Sequence, residues 1–432
     1  MWSNLHTSPL RWHQTMAIKT GPYVIGFRCM QCQETYQRDM TAMRCPNCGD
    51  TGILDVLFDY DALREQLPCP EVLQQRPFDV WRYRELLSIP VPAEPSTLHV
   101  GGTPLYRSQD SVKKWGLKTL YIKDEGVNPT GSLKDRASVM AVVHAKSLSQ
   151  SIVACSSTGN AASSLAGQAA KMGLKTVIFV PERAPIGKLN QLLVYGSHVF
   201  KVRGDYQATY ALSHEAIKTY GWYDRNAAVN PHLVEGKKTV AYEIIEQLGG
   251  DVPDWVIVSV GDGCTLAGLY KGFYDLFKLD RLTHIPKLLG VQSAGCAPLY
   301  EAWQSKQPLE ATQENTLADS IAVGVPRNAL KALHAIEQST GAFITVSDDA
   351  ILSAIKQLGR HEGIFAEPAS SAAFAGLLKA QSTGLIAKQD RVVVIHTGNG
   401  LKDPDGARKA VGDVTCIDAD FASFENTWNM KE

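Results

Sequence analysis

A lysine at the head of a helix is an uncommon choice, and the stretch YIKDEGVNPTGSLKDRAS at 121–138 contains one. An apolar strand ending at Tyr121-Ile122 runs into a turn rich in Asn128, Pro129, Thr130 and Gly131. Lys134 follows, and the helical pattern continues through Val139, Met140, Val142 and Val143. Cations are disfavoured at the positive end of a helix dipole. An amine held there is pushed toward its neutral form, the form that condenses with an aldehyde. A solvated lysine is the bland reading of such a residue taken alone, so its neighbours decide.

Three more loops carry residue types suited to anions. Cys155-Ser156-Ser157-Thr158-Gly159-Asn160 leads into a helix, and its amides and hydroxyls face an anion or simply cap that helix. Gly261-Asp262-Gly263-Cys264-Thr265 is a glycine-rich turn feeding a helix N-terminus, the construction of a phosphate cup. A dinucleotide loop of the GxGxxG type does not fit, because Leu266 occupies the third glycine's place. Thr397-Gly398-Asn399-Gly400-Leu401-Lys402-Asp403 is the third loop, and Glu367 lies in Phe365-Ala366-Glu367-Pro368. A separate constellation is Cys29-x-x-Cys32 with Cys45-x-x-Cys48. Two such knuckles predict a structural tetrahedral zinc site, and four thiolates leave no open position for catalysis.

The elements that must position these loops follow from periodicity. Apolar runs at 119–122, 152–155, 175–180, 198–202, 255–260, 287–292 and 391–396 alternate with helical patterns at 161–172, 206–220, 236–248, 265–278, 348–360 and 370–380. That alternation predicts an α/β chain with two open parallel sheets covered on both faces. Ligands in such sheets sit at the carboxyl ends of strands, where all three loops fall. The division expected is a zinc-ribbon segment at 1–60, a large domain at 61–137 and 236–432, and a small mobile domain at 138–235. The Pro-rich run at 89–95 reads as an extended linker.

Composition narrows the function classes. The chain has 432 residues, formal net charge −1, 44% hydrophobic and 20% charged residues, and nine cysteines. Near-neutral charge gives no electrostatic case for nucleic acid or membrane surfaces. No apolar run is long enough to span a bilayer, and MWSNLHTSPLRWHQ lacks the apolar core of a secretory signal. The odd cysteine count suits a reducing cytoplasm with one metal-type cluster better than a disulfide framework.

N-P-T-G-S-x-K-D-R at 128–136, Gly101-Gly102-Thr103-Pro104-Leu105 and T-G-N-G-L-K-D at 397–403 closely resemble segments of the threonine synthase-like family. These are fold-type II enzymes dependent on pyridoxal phosphate. The resemblance covers roughly 25–415 and implies that Lys134 carries the cofactor and shuttles protons. It implies that Asn160 meets the cofactor's 3′-oxygen, that 261–265 hold its phosphate and that Thr397 meets its ring nitrogen. Ser156, Ser157, Thr158, Gly159 and Glu367 are implied in substrate binding. A small amino-acid substrate and a homodimer are expected. Asp262 departs from the family's frequent Asn, and its side chain is expected to point away or to cap a helix.

The segment 227–239 departs further. Where the family reads N-S-x-N-x-x-R-x-E-G-Q-K-T, this chain has Ala227-Ala228 for Asn-Ser, Leu233 for Arg and Lys237 for Gln. The reaction implied is elimination of phosphate from O-phosphohomoserine and addition of water to give threonine. Loss of the arginine fork predicts a poor phosphate pocket. The alternative is β-elimination or β-replacement on a serine-, diaminopropionate- or cysteine-like amino acid. A binding protein that keeps the cofactor without turnover is a third reading, and nothing in the sequence favours it.

Overall fold

The computed structural model describes residues 20–429 apart from 41, 158, 183–185 and 205. Three sheets organise the described residues. The first joins β1 (Val24–Cys29), β2 (Thr35–Gln37) and β3 (Leu54–Phe58) as an antiparallel ribbon in the order β2-β1-β3. It carries the four knuckle cysteines at or beside its turns. Val24, Phe27, Val56 and Phe58 point to one face and pack with Leu63, Tyr83 and Leu86.

The stretch 89–95 corrects an expectation. Ile89 is fully buried in a cluster with Trp81, Val139, Met140 and Val143. A chain that buries an isoleucine on a neighbouring helix is docked, so this segment is not a free linker.

The large sheet has the order β12-β11-β10-β13-β5-β4. Its strands are β4 (Leu105–Arg107), β5 (Thr119–Asp124), β10 (Trp255–Ser259), β11 (Lys287–Ser293), β12 (Ala342–Val346) and β13 (Arg391–His396). All pairings are parallel except β4 with β5. The strands are nearly all apolar because helices cover both faces, leaving one buried cluster on each side.

The third sheet is wholly parallel, with β6 (Ile152–Ser156), β7 (Lys175–Pro181), β8 (His198–Val202) and β9 (Tyr223–Asp224) in the order β8-β7-β6-β9. In the large sheet the order runs outward from β10 to β11 and β12 on one side and from β13 to β5 on the other. In the smaller sheet it diverges between β6 and β9. These are the switch points where adjacent loops part and leave a crevice.

Candidate active site

Lys134 is the first residue of the helix Lys134–Ser147. The residues around it fix the turn that delivers it. Asn128 Oδ1 accepts from Gly101 N–H at 3.1 Å, and its Nδ2 donates to Glu125 Oε2 at 2.9 Å. Asp135 accepts from the Thr130 N–H at 2.8 Å and the Thr130 hydroxyl at 3.0 Å, closing the Pro129-Thr130-Gly131 turn. Gly131 has φ of +82°, a conformation other residues rarely adopt. Arg136 is fully buried and bonded to Glu125 and Glu243, so the helix start cannot slide.

The β13 loop is stitched to the same turn. Leu133 N–H donates to the Thr397 carbonyl at 2.9 Å, and Asn399 N–H to the Gly131 carbonyl at 3.0 Å. Thr397 N–H donates to Ser370 Oγ at 2.8 Å, and its hydroxyl lies 3.5 Å from Ser259 Oγ at the end of β10. Glu367 N–H donates to the Gly398 carbonyl at 3.1 Å, and Asn160 Nδ2 donates to Glu367 Oε1 at 2.7 Å. A Cβ on residue 398 would lie 2.2 Å from Glu367 Oε1, so a larger residue there would displace the Glu367 carboxylate from its bond to Asn160.

Together these loops line a cavity of about 430 Å³, within the usual range for small-ligand sites. Lys134, Ser156, Ser157, Gly159, Asn160, Gly261 through Thr265, Glu367 and Thr397 all reach it. Thr158 lies outside the described residues. Cys29, Cys32, Cys45 and Cys48 lie in the separate ribbon, their four sulfurs all within 4.8 Å of one another.

The electrostatics suit a reactive amine. Burial depresses the proton affinity of the Lys134 amine, Glu367 opposes that effect, and Arg225 adds to it. The helix Cys264–Lys278 starts at Gly263, which has φ of +87° and provides no side-chain cap. Its first amides therefore face the cavity end without an internal partner. A Cβ on residue 263 would come 2.6 Å from Ala332 Cβ, and one on residue 261 within 3.0 Å of Ile321 Cα. Asp262 does not compete for an anion there. Its Oδ1 accepts from Arg327 N–H at 3.1 Å, so it caps the 326–328 turn and not the helix that follows it.

Pyridoxal phosphate fits this donor set: a buried amine, a turn of glycines before an uncapped helix, and unpaired hydrogen-bonding groups. Ser156 Oγ and Asn226 Nδ2 are buried and have no hydrogen-bond partner among the described residues.

Several lining residues escaped the sequence reading. Arg225 and Asn226 follow β9, and Tyr210, Thr316, Ser320 and Arg327 complete the rim. Arg225 and Asn226 stand at a switch point, a signal visible only once the strand order is known. Leu233 was misplaced by the motif. It packs in the core with Ala137, Ala141, Val142 and Leu165 and does not line the cavity. Its apolar character therefore fills a core position and leaves the cavity's own cations, Arg225, Lys237 and Arg327, in place.

The chain belongs to the pyridoxal-phosphate dependent enzyme family, whose model matches residues 96–398. Within it, the relatives it resembles are threonine synthases. It is 39% identical over 397 residues to the threonine synthase of Methanocaldococcus jannaschii, covering 91% of this chain and 97% of the relative. The threonine synthase of Methanosarcina acetivorans gives 39% over 397 residues, 91% of this chain and 96% of the relative. Among solved structures, the serine racemase of Dictyostelium discoideum superposes with TM-score 0.59 at 26% identity, over 69% of this chain and 92% of that one. Threonine deaminase isoform 2 of Solanum lycopersicum gives 0.64 at 20% identity, over 82% and 93%, and shares the fold. The protein is thus a threonine synthase-like, fold-type II enzyme. Among the described residues no helix is long and apolar enough to cross a membrane.

Proposed function

We propose that this enzyme converts O-phosphohomoserine and water into threonine and phosphate. The observation that carries the reading is the nearly coextensive threonine synthase relative, 39% identical over 91% of this chain. Lys134 Nζ would hold pyridoxal phosphate covalently, the 261–265 turn its phosphate, Asn160 its 3′-oxygen and Thr397 its ring nitrogen. When bound, that group supplies an electron sink for charge developing on the substrate carbons. Glu367 orients Asn160 through their hydrogen bond. Ser156, whose Oγ is buried without a hydrogen-bond partner among the described residues, receives the substrate carboxylate with Ser157 and Gly159 beside it. Lys134, its proton affinity lowered by burial, takes the Cα proton and returns protons as phosphate leaves Cγ and water adds at Cβ. Loops from both parallel sheets wall the cavity.

The small domain at 138–235 carries one wall of the cavity, and closure of that domain over substrate belongs to the same proposal. So does a structural zinc at Cys29, Cys32, Cys45 and Cys48. Sulfurs at tetrahedral corners about 2.3 Å from a metal lie roughly 3.8 Å apart. The Cys29–Cys48 and Cys32–Cys45 sulfur separations are 3.9 and 3.6 Å. The ribbon's Ile53 packs with Ala228, Cys264 and Ala267, so the metal would brace the phosphate-cup helix. Metal analysis of chelator-free preparations should find one zinc per chain. A cytoplasmic homodimer completes the reading. Free cysteines support the compartment and the family resemblance supports the dimer, which light scattering checks.

Borohydride reduction followed by peptide mapping tests the central assignment. The cofactor should be recovered on the peptide containing Lys134. Recovery on any other lysine refutes it.

A further inference from the structure

We propose that Arg44 of the ribbon is a positioning residue for the cavity rim: through Tyr210 it holds the helix Tyr206–Tyr220 against the mouth of the site. The inference rests on reading the cavity as the active site, and it is independent of which amino acid reacts there.

Tyr210 lines the cavity and stands where three parts of the molecule meet. Its helix packs on the smaller parallel sheet through Ile217, against Ala154, Val177 and Phe179. From the ribbon, Arg44 Nη2 donates to the Tyr210 hydroxyl at 3.0 Å. From the large-sheet side, the Arg327 guanidinium lies 3.9 Å from the centre of the Tyr210 ring. Arg327 N–H is itself held by Asp262 of the glycine-rich turn. One phenol is thus gripped at its hydroxyl by one arginine and on its face by another. His214, one turn further along the same helix, stacks beside Tyr210 with an interplanar angle of 11° and faces Asp50 at 3.7 Å. Met43 of the ribbon adds an apolar contact to the core of the smaller sheet.

The knuckle at 45–48 sets the direction of Arg44. Arg44 Nη1 donates to the Asp50 carbonyl at 2.7 Å and to the Asp50 carboxylate at 2.8 Å. Cys45 N–H donates to the Gly52 carbonyl at 2.8 Å and Gly49 N–H to the Cys45 carbonyl at 2.9 Å, so both ends of that pairing move as one unit. The Asp50 side chain is 76% exposed, and an ion pair that open adds little stability. Its consequence is geometric, because it leaves Nη2 of the planar guanidinium aimed out of the ribbon at Tyr210. Among the described residues the ribbon contributes none to the cavity wall, yet it ends in a bond to a residue that does. A clasp of this kind sets the population of the open rim. Breaking it frees the helix to swing outward while the sheets behind it stay folded.

The test measures access to the cavity in the holoenzyme. Borohydride should reduce the cofactor on Lys134 about tenfold faster in Arg44→Gln than in wild type, the effect expected from losing one charge-assisted hydrogen bond. Tyr210→Phe, which keeps the ring and its contact with Arg327, should match it. The double variant should be no faster than either single one, because both remove the same bond. Arg44→Lys, which keeps a donor, should fall between. Hydrogen exchange should rise in 206–220 and stay at wild-type levels in the helix Lys134–Ser147, and melting temperatures should hold. Wild-type reduction rates in both single variants would overturn the proposal. Multiplied effects in the double variant would also overturn it, since they mark two independent roles. So would an exchange rise spread over the whole chain, which marks a merely structural ribbon. If borohydride fixes no cofactor at Lys134 in wild type, the active-site reading fails and exchange in 206–220 decides the clasp: faster exchange in both variants keeps it, and unchanged exchange removes it.

Discussion

Lys134 and Arg136 stand two positions apart on one helix and meet opposite surroundings. Arg136 Nε and Nη2 reach Glu125 at 2.6 and 2.7 Å, and its Nη1 reaches Glu243 at 2.6 Å. Lys123 Nζ completes that cluster against Glu243 at 2.7 Å. Two cations therefore face two carboxylates, and Thr103 and Gln247 take part in the remaining bonds. Lys134, in contrast, opens onto a cavity shared with Arg225 and Lys237. The same contrast recurs one element away, where Lys238 sits 2.7 Å from Asp275 while its neighbour Lys237 has no such partner among the described residues. Internally balanced charge fixes the scaffold. Unbalanced charge at a cavity marks where ligands supply what the fold withholds.

The comparison breaks first at Lys134. Lys134→Ala should lower kcat by roughly 10⁴-fold or more. The melting temperature of the cofactor-free protein should hold or rise, because an unpaired buried amine is gone. A large loss of stability would put Lys134 in the scaffold class. Arg136→Met should do the reverse. Leaving Glu125 and Glu243 buried without their partner should cost about 3–5 kcal/mol in urea unfolding. A variant as stable as wild type would show that the cluster is not structural.

The unbalanced side also has a pH signature. Burial is the main cause that lowers Lys237 to about 8 from an ordinary 10.5, with Cys264, Lys134, Arg225 and Asp262 as the neighbours facing it. Between those values the unfolded chain binds more protons than the folded one, so stability rises with pH across that window. The cofactor-free protein should gain on the order of 3 kcal/mol between about pH 8 and pH 10.5. Lys237→Met should flatten that slope, and an equal slope in the variant would remove Lys237 as its source. The smallest effect expected is at Glu367→Gln. Weakening its bond to Asn160 should cost about 1 kcal/mol, or roughly fivefold, in cofactor affinity measured by absorbance titration.

Much of this was legible in the chain. Runs such as WVIVSV and RVVVIH could only be buried strands, and the loops after them had to meet at the strands' carboxyl ends. Lys134, Asn160 and Thr397 were found by residue type and motif, and the structure brings them to one cavity. Other features needed three dimensions. Strand Ala342–Val346 is a short apolar run, which periodicity alone does not separate from a helix end. The helical pattern at 236–248 is two helices, His232–Lys237 and Thr239–Gln247, broken at Lys238. A linear motif puts Leu233 at a phosphate-binding position because it does not say which way a helix faces, and the structure packs it in the core. Arg225 belongs to no motif, and its meaning comes from β9 lying beside β6.

The most direct measurement is product analysis by NMR after purified holoenzyme meets O-phosphohomoserine. The account predicts threonine and phosphate in equal amounts, with kcat/KM of about 10⁴ M⁻¹s⁻¹ or above. O-Phosphoserine, serine, threonine and diaminopropionate, run alongside, should turn over far more slowly. A 2-oxo acid and ammonia without threonine, or faster turnover of an uncharged substrate, would contradict it.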